Sequence, residues 1–216
     1  AFLQSDDACV LVGSGTNSSK QKQLWLARYT NSGFFDTSFN KTGIATLLEG
    51  ESTSGESAVL QADNKIIVAG SAQLSGTYSL FLARYTDSGA LDSSFGANGI
   101  TTQSYGDGVH GADIALQSSG KSIVAGTTII DGQAHAIVFR FNTDGTLDAS
   151  FGSSGFIILS PGFRTEVKAL CIDDVDRVII VGQAFVGGIH QFFLARITES
   201  GSIDAIFGSN GITVTE

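Results

Sequence analysis

The chain of 216 residues is 42% hydrophobic and 15% charged, which gives enough apolar material for a sizeable core and argues against wholesale disorder. Its net charge is −9 and its Lys and Arg residues form no cluster, so neither nucleic acid nor an anionic membrane surface is an expected partner. No apolar run approaches the roughly 18–20 residues that cross a bilayer, and we expect no membrane insertion. The absence of methionine indicates a processed or excised piece of a longer protein.

Four strand-like runs, separated by turn signals, are predicted in each of four repeats. In the second repeat the runs are SAVLQ (57–61), KIIVAGSA (65–72), YSLFLARYT (78–86) and GITTQS (99–104). β-Branched and aromatic residues dominate their apolar positions, and the Asp-Asn pair at 63–64 suits a tight hairpin between the first two runs. The repeats follow a step of 56 residues and occupy approximately 1–54, 55–110, 111–166 and 167–216.

The corresponding hairpin turn of the last repeat, AspAspValAspArg (173–177), departs from the pattern of the other copies. It clusters the carboxyl groups of Asp173, Asp174 and Asp176, and oxygen-rich clusters can hold Ca²⁺. The spacing does not match an EF-hand loop, however, and acidic turns are common on protein surfaces. We favour a solvated turn, with a calcium site as the alternative.

The longest shared phrase begins within the third run and reads LARYTDSGALDSSFGANGI in the second copy (82–100). Every copy keeps an arginine, an aspartate eight residues later and a phenylalanine three residues after that. We predict that the arginine binds the aspartate or the backbone of the connection, and that the phenylalanine fills the space between repeats. These residues are interpreted as structural rather than as a ring of ligand sites. They are Arg28, Asp36, Phe39, Arg84, Asp92, Phe95, Arg140, Asp148, Phe151, Arg196, Asp204 and Phe207.

A fixed step of this size indicates a repeat architecture, and four short antiparallel strands per repeat predict the blades of an all-β β-propeller. A parallel β-helix uses shorter turns, a trefoil has three repeats, and a sandwich of unrelated strands would not keep the step. Residues 1–216 are therefore predicted to form a single propeller domain. Four repeats could close into one ring, form an open part of a larger ring, or assemble with other chains. We favour closure and a monomer.

The pattern (A/V)LQ-x-DGK-x-(I/V)VAG … F-x-LARY-x-x-DG-x-LD-x-SFG-x-x-G resembles the delta-60 repeat family, a bacterial β-propeller repeat. The resemblance covers essentially the whole chain and is clearest at 57–102 and 112–156. It is weakest in the last repeat, where CIDDVDR replaces LQ-x-DGK. It implies a propeller fold and a larger bacterial protein, secreted or on the cell surface, and it implies no activity.

The segments between repeats differ most from copy to copy, and they are residues 49–57, 105–111 and 160–166. Divergence inside a regular repeat is where a propeller can vary its binding surface, and unconstrained drift is the alternative. The aromatic and charged members of these segments are therefore candidate ligand contacts. They are Tyr105, His110, Phe163 and Arg164.

The histidines and cysteines give little support for catalysis or for a cofactor. His110, His135 and His190 occupy different repeat positions, and the sequence contains no HxH, HExxH, CxxC or GxSxG motif. We therefore assign no catalytic residue, no transition-metal ligand and no cofactor. Cys9 and Cys171 are predicted to be buried free thiols, with a disulfide between the first and last repeats as the alternative.

These observations favour a non-enzymatic β-propeller that serves as a binding or structural module, with a protein or a carbohydrate as ligand. One alternative is a repeat lectin with a sugar site in each repeat, which requires exposed aromatic residues at repeated positions. The other alternative is an enzyme, a hydrolase or a lyase, that uses the central pocket. It requires polar residues that differ between copies to converge on the axis.

Overall fold

The computed structural model describes residues 1–4 and 6–215, and their regular secondary structure is entirely β-strand. The described residues form sixteen strands in four separate antiparallel sheets of four strands each, which confirms the prediction of four-stranded propeller blades. Strands that are consecutive in the chain are neighbours in each sheet. Among the described residues there is no helix long and apolar enough to cross a membrane.

Blade 1 contains β1 (Phe2–Leu3), β2 (Cys9–Thr16), β3 (Lys22–Tyr29) and β4 (Ile44–Leu47). Blade 2 contains β5 (Ser52–Leu60), β6 (Ile66–Leu74), β7 (Thr77–Tyr85) and β8 (Ile100–Gln103). Blade 3 contains β9 (Gly108–Leu116), β10 (Ser122–Ile130), β11 (Gln133–Phe141) and β12 (Phe156–Leu159). Blade 4 contains β13 (Phe163–Ile172), β14 (Val178–Val186), β15 (Ile189–Ile197) and β16 (Ile212–Val214).

The turn between the first two strands is closed by an equivalent backbone hydrogen bond in all four blades. Its fourth residue has a positive φ, a region in which Gly, Asn and Asp are the least strained residues. The divergent run of the last repeat keeps this turn, because its backbone is closed by a hydrogen bond from Asp173 N to Arg177 O of 3.0 Å. The residues with positive φ are Asp7, Asn64, Gly120 and Asp176, at 63°, 63°, 78° and 61°.

The first strands of blades 2, 3 and 4 begin earlier than the sequence predicts. The segments 49–57, 105–111 and 160–166, interpreted as loops, each contribute residues to β5, β9 or β13. Ser, Thr and Gly make up six of the nine residues of 49–57 and three of the seven residues in each of the other two segments, and they hide the apolar alternation of a strand. Each first strand also shifts register against the second strand, as at a β-bulge, so its two halves cannot share one alternation.

The chain divides into two compact units, Ala1–Ser104 with blades 1 and 2 and Tyr105–Glu216 with blades 3 and 4. In the first unit, Leu24 and Leu26 of β3 belong to one buried cluster with Val68 and Phe81 of blade 2. In the second unit, the core is built in the same way. Val138 of β11 belongs to one cluster with Phe193 of β15. Each unit is thus held together by apolar side chains between two facing sheets.

Candidate functional site

The repeat arginine and aspartate form an ion pair in every blade. The arginine Nε atom donates to the aspartate Oδ2 atom at 2.7 or 2.8 Å. The arginine side chain also lies over the ring of the repeat phenylalanine, with its Cζ atom 4.5 to 5.0 Å from the ring centroid. The clusters are Arg28–Asp36–Phe39, Arg84–Asp92–Phe95, Arg140–Asp148–Phe151 and Arg196–Asp204–Phe207.

A serine two residues after the aspartate joins this cluster in the first three blades, a role that the sequence interpretation does not assign. In blade 2, Ser94 Oγ donates to Asp92 Oδ1 at 2.7 Å and accepts from Arg84 Nη2 at 3.0 Å. The recurrence of the serine before the phenylalanine is the signal that could have revealed it. The three serines are Ser38, Ser94 and Ser150, and Ile206 occupies this position in blade 4.

A basic residue at the start of the second strand reaches the same carboxylate, and the sequence interpretation assigns it no role either. Lys121 Nζ lies 2.7 Å from Asp148 Oδ2, and Lys65 Nζ lies 3.1 Å from Asp92 Oδ2. Arg177 stands at this position in blade 4, where its Nη1 atom is 3.7 Å from an oxygen of Asp204. The lysine that follows this turn in the second and third repeats, Lys65 and Lys121, is the signal that could have revealed it.

These contacts hold the pKa of two buried carboxyl groups well below the ordinary value of 3.8. For Asp92 the leading cause is the hydrogen bond from the Ser94 hydroxyl, and Lys65 acts in the same direction. For Asp148 burial alone would raise the pKa, but hydrogen bonds from Lys121 and the serine of its blade outweigh this effect. Both groups therefore stay ionised in the folded chain far into the acid range.

We expect the stability of the chain to fall steeply as the pH drops below about 4. A carboxyl group whose pKa is lowered by folding stabilises the fold above its unfolded pKa, and this contribution is lost as the pH falls toward the folded pKa. The free energy of unfolding of the wild type, measured by urea denaturation at a series of pH values, should show this loss. The variant Asp148→Asn should be less stable at pH 7 and show a smaller slope in acid. Equal slopes for the two proteins would contradict the prediction.

In the first unit the repeat arginine also binds the following blade. Arg28 Nη1 donates to Asp87 O at 2.8 Å, and Asn40 N donates to Ser88 O at 2.8 Å. Gly89 completes this turn with a φ of 83°, and an added Cβ would lie 3.0 Å from the Phe39 ring. A side chain at this glycine would thus press on the phenylalanine of the preceding blade. We call these contacts between an arginine–phenylalanine pair and the turn of the next blade the blade joint.

The second unit contains the same blade joint. Arg140 Nη1 donates to Glu199 O at 2.5 Å, and Gly152 N donates to Ser200 O at 2.9 Å. Gly201 has a φ of 85°, and an added Cβ would lie 2.3 Å from the nitrogen of Gly152. The repeated arginines, phenylalanines and glycines therefore build contacts between blades.

The three aspartates of the calcium alternative do not form a common site. Asp173 accepts a hydrogen bond of 2.7 Å from Arg177 Nε, which belongs to its own turn. Asp176 Oδ1 accepts a hydrogen bond of 2.8 Å from Ser118 N of blade 3, so it joins two blades, while Asp174 is exposed. Among the residues that the structure describes, no group of three or more His, Cys, Asp or Glu side chains is arranged to hold a metal ion.

The hydrogen bond of His135 is local to blade 3. His135 Nδ1 lies 2.6 Å from Ser160 Oγ, a pair that resembles part of a catalytic dyad. The equivalent residues of blade 2, Ser79 and Ser104, also contact each other, with 2.8 Å between their Oγ atoms. The histidine–serine pair is thus one copy of a repeated contact between strands.

Both cysteines carry free thiols, but the prediction that they are buried is wrong. Cys171 is exposed, and its strand partner Ile179 is half-buried on the same face of blade 4. Cys9 is half-buried at the first position of β2.

The four candidate ligand contacts lie at different places. Tyr105 is half-buried against the ring of Phe156, with centroids 4.7 Å apart. It lines a groove of about 480 Å³ together with Phe156, Ile157, Ile158 and the backbone around Gly152 and Gly201.

The other three candidates lie on strands rather than on the predicted loops. His110 is exposed on β9, where it pairs with Thr127 of β10. Phe163 and Arg164 are exposed at the start of β13, where Phe163 pairs with Phe185 of β14.

The sheets and their repeated joint define a β-propeller repeat protein. Three segments match the family described as "Domain of unknown function (DUF5122) beta-propeller", at residues 61–95, 117–151 and 176–207. These segments contain the second strand, the third strand and the arginine–aspartate–phenylalanine cluster of blades 2, 3 and 4. A comparison with curated proteins found no match.

One solved structure that is similar to this chain is "Drosophila Semaphorin 1b, extracellular domains 1-2". The likeness has a TM-score of 0.43 and 12% identity, and it covers 85% of this chain and 39% of that chain. At this level it supports no statement about ligands of this chain.

Proposed function

We propose that this chain is a non-enzymatic β-propeller module of the delta-60 type that binds a protein or carbohydrate ligand within a bacterial secreted or surface protein. The observation that carries the proposal is that repeated and divergent residues have different environments. The repeated polar residues are engaged in blade joints, as Arg140 is with Asp148 and Glu199. Divergent side chains such as Tyr105 and Phe163 are left to face the groove or the solvent.

The groove at Tyr105 is the site that we propose for such a ligand. Its volume of about 480 Å³ lies within the range of roughly 300–1,000 Å³ that is usual for ligand pockets. Tyr105 and Phe156 supply aromatic surface, and the Ser153 and Ser202 side chains supply hydroxyl groups. Aromatic faces next to hydroxyl and backbone groups suit a sugar ring or a peptide. We propose His110, Phe163 and Arg164 as further contacts outside this groove.

A lectin with one equivalent site per blade has less support. Such a lectin would need exposed aromatic rings at the repeated positions, and Phe39, Phe95 and Phe151 are fully buried. A single divergent site is therefore the better hypothesis.

The test is a screen of the purified chain against glycan and peptide arrays, repeated with Tyr105→Ala. We expect the signal of the best ligand to fall at least tenfold in this variant, since an aromatic anchor at the centre of a site contributes most of its binding energy. Tyr78→Ala, in the β6–β7 hairpin of the other unit, is the control and should bind like the wild type. Equal binding by Tyr105→Ala and wild type would refute the site.

A further inference from the structure

Two blade faces carry apolar side chains that are exposed where their counterparts in other blades are buried. On blade 4, Phe192 is 73% exposed, whereas Leu24, one of the residues at the same repeat position, is fully buried in the core of the first unit. On blade 1, Trp25 is 38% exposed, whereas the equivalent Phe81 is fully buried in that core. At both positions, the equivalent residue in another blade is therefore covered by a neighbouring blade.

The two faces correspond to opposite sides of the repeated blade, one that packs on the following blade and one that packs on the preceding blade. Leu24 and Phe192 occupy the side that faces the following blade, because Leu24 packs toward blade 2. Phe81 and Trp25 occupy the side that faces the preceding blade, because Phe81 packs toward blade 1. We name the exposed side of blade 4 the tail face, with Val181, Phe192, Leu194, Arg196 and Phe207. We name the exposed side of blade 1 the head face, with Leu11, Trp25 and the turn Asn31–Gly33.

The tail face carries one half of a blade joint. Arg196 and Phe207 occupy the positions of Arg28 and Phe39, and they have the same stacked geometry, with Arg196 Cζ 4.5 Å from the ring centroid. Both residues are half-buried, whereas Arg28 and Phe39 are buried. Among the described residues, no carbonyl group of a following turn accepts a hydrogen bond from Arg196 Nη1.

The head face carries the other half. Asn31, Ser32 and Gly33 occupy the positions of Asp87, Ser88 and Gly89. In the first unit, the carbonyl groups of Asp87 and Ser88 accept hydrogen bonds from blade 1, and Gly89 lies against its phenylalanine. Gly33 has a φ of 80°, close to that of Gly89, so the turn already has the conformation of the joint. An added Cβ at Gly33 would meet no atom of the described residues within 4 Å, and the glycine is exposed.

Apolar surface accompanies both halves of the joint. The tail face forms a depression of about 370 Å³ lined mainly by Val181, Phe192, Phe193 and Leu194. The head face forms one of about 450 Å³ lined by Leu11, Val12, Trp25 and Ala27. Exposed apolar surfaces of this kind mark sites of association.

We propose that the tail face of one chain binds the head face of a second copy of the same chain through a blade joint. Arg196 Nη1 then donates to Asn31 O of the second copy, Gly208 N donates to Ser32 O, and Gly33 covers Phe207. The contact is heterologous, since two different surfaces meet, and it can close into a ring. The association does not depend on the ligand proposed above, and it is an alternative to the monomer expected from the sequence.

The test is light scattering on the full chain and on three variants, Trp25→Glu, Phe192→Glu and the control Val175→Glu. We expect the wild type and Val175→Glu to have twice the mass of one chain or more, because Val175 is exposed at a hairpin tip outside both faces. Trp25→Glu and Phe192→Glu should each be monomeric, with unchanged circular dichroism, because both side chains are already exposed.

Mixing the two monomeric variants separates this proposal from other modes of association. Trp25→Glu keeps a good tail face and Phe192→Glu keeps a good head face, so an equimolar mixture should form a complex of one chain of each. A symmetric contact between two tail faces would instead leave Trp25→Glu associated. A monomeric wild type, or a mixture that stays monomeric, would overturn the proposal.

Discussion

Replacing Arg140 with alanine should lower the free energy of unfolding by about 3–5 kcal/mol, the usual loss when one partner of a buried ion pair is removed. The Arg140 side chain is only 7% exposed and the Asp148 side chain 8%. The loss of the Arg140 side chain leaves the Asp148 carboxylate with the hydrogen bonds from Lys121 and Ser150. It also leaves the carbonyl of Glu199 without its donor. Because Lys121 Nζ remains 2.7 Å from Asp148, we expect a value near the lower end of the range.

The matched control is Arg196→Ala, which removes the same residue from the same ion pair. Arg196 has no Ser partner, because Ile206 occupies that position, and in the chain as described it lacks the carbonyl acceptor of a following blade. Its loss should cost at most about half as much as that of Arg140. Both variants are compared by urea denaturation with Trp25→Glu in the background, so that association does not contribute. If Arg196→Ala lowers the free energy of unfolding as much as Arg140→Ala does, the ion pair rather than the blade joint accounts for most of the stabilisation by Arg140.

The step of 56 residues made much of this structure predictable. It located the four strands of each blade and placed the arginine, aspartate and phenylalanine at equivalent positions before any contact was known. Periodicity works here because neighbouring blades can pack in one way only if every copy keeps the same geometry. A residue that recurs in every copy therefore indicates a contact that recurs in every blade. It does not show which atoms form that contact.

Other features could not be predicted, for physical reasons that particular residues illustrate. Asp176 resembled part of an acidic cluster, but its carboxylate accepts from Ser118 of the preceding blade, 58 residues away in the chain. His110 and Phe163 were assigned to loops because Ser, Thr and Gly hide strand alternation around a bulge. The sequence assigns no role to Lys121, because a charged side chain beside a turn is usually solvated, whereas here it reaches the carboxylate of Asp148.

The burial of each repeated side chain could not be predicted from the repeat alone. Phe151 and Phe207 are equivalent in sequence and both lie beneath an arginine. Phe151 is nevertheless fully buried and Phe207 half-buried, because Gly201 of the next blade covers Phe151. This difference in burial between equivalent positions identifies the tail face as exposed.

Phe151→Ala should destabilise the chain by about 3–5 kcal/mol, the usual range for removing a buried phenylalanine. The ring touches the Gly201 turn on one side, and the guanidinium of Arg140 lies over its face at 4.8 Å. Its removal leaves a cavity inside the joint, and the backbone of Gly201 cannot move to fill it without breaking the hydrogen bond from Gly152 N to Ser200 O. Urea denaturation measures the loss.

Phe207→Ala is the matched control, and in the Trp25→Glu background it should cost clearly less, because one side of this ring already faces solvent. The double variant Arg140→Ala/Phe151→Ala then measures the coupling between the two side chains. We expect it to be less destabilised than the sum of the single variants by about 0.5–2 kcal/mol, since each single variant already removes their shared contact. Full additivity would mean that arginine and phenylalanine act separately, and the blade joint would then be two independent contacts rather than one unit. In the associated wild type, Phe207→Ala should regain the larger cost, because the Gly33 turn of a second copy then covers its ring as Gly201 covers Phe151.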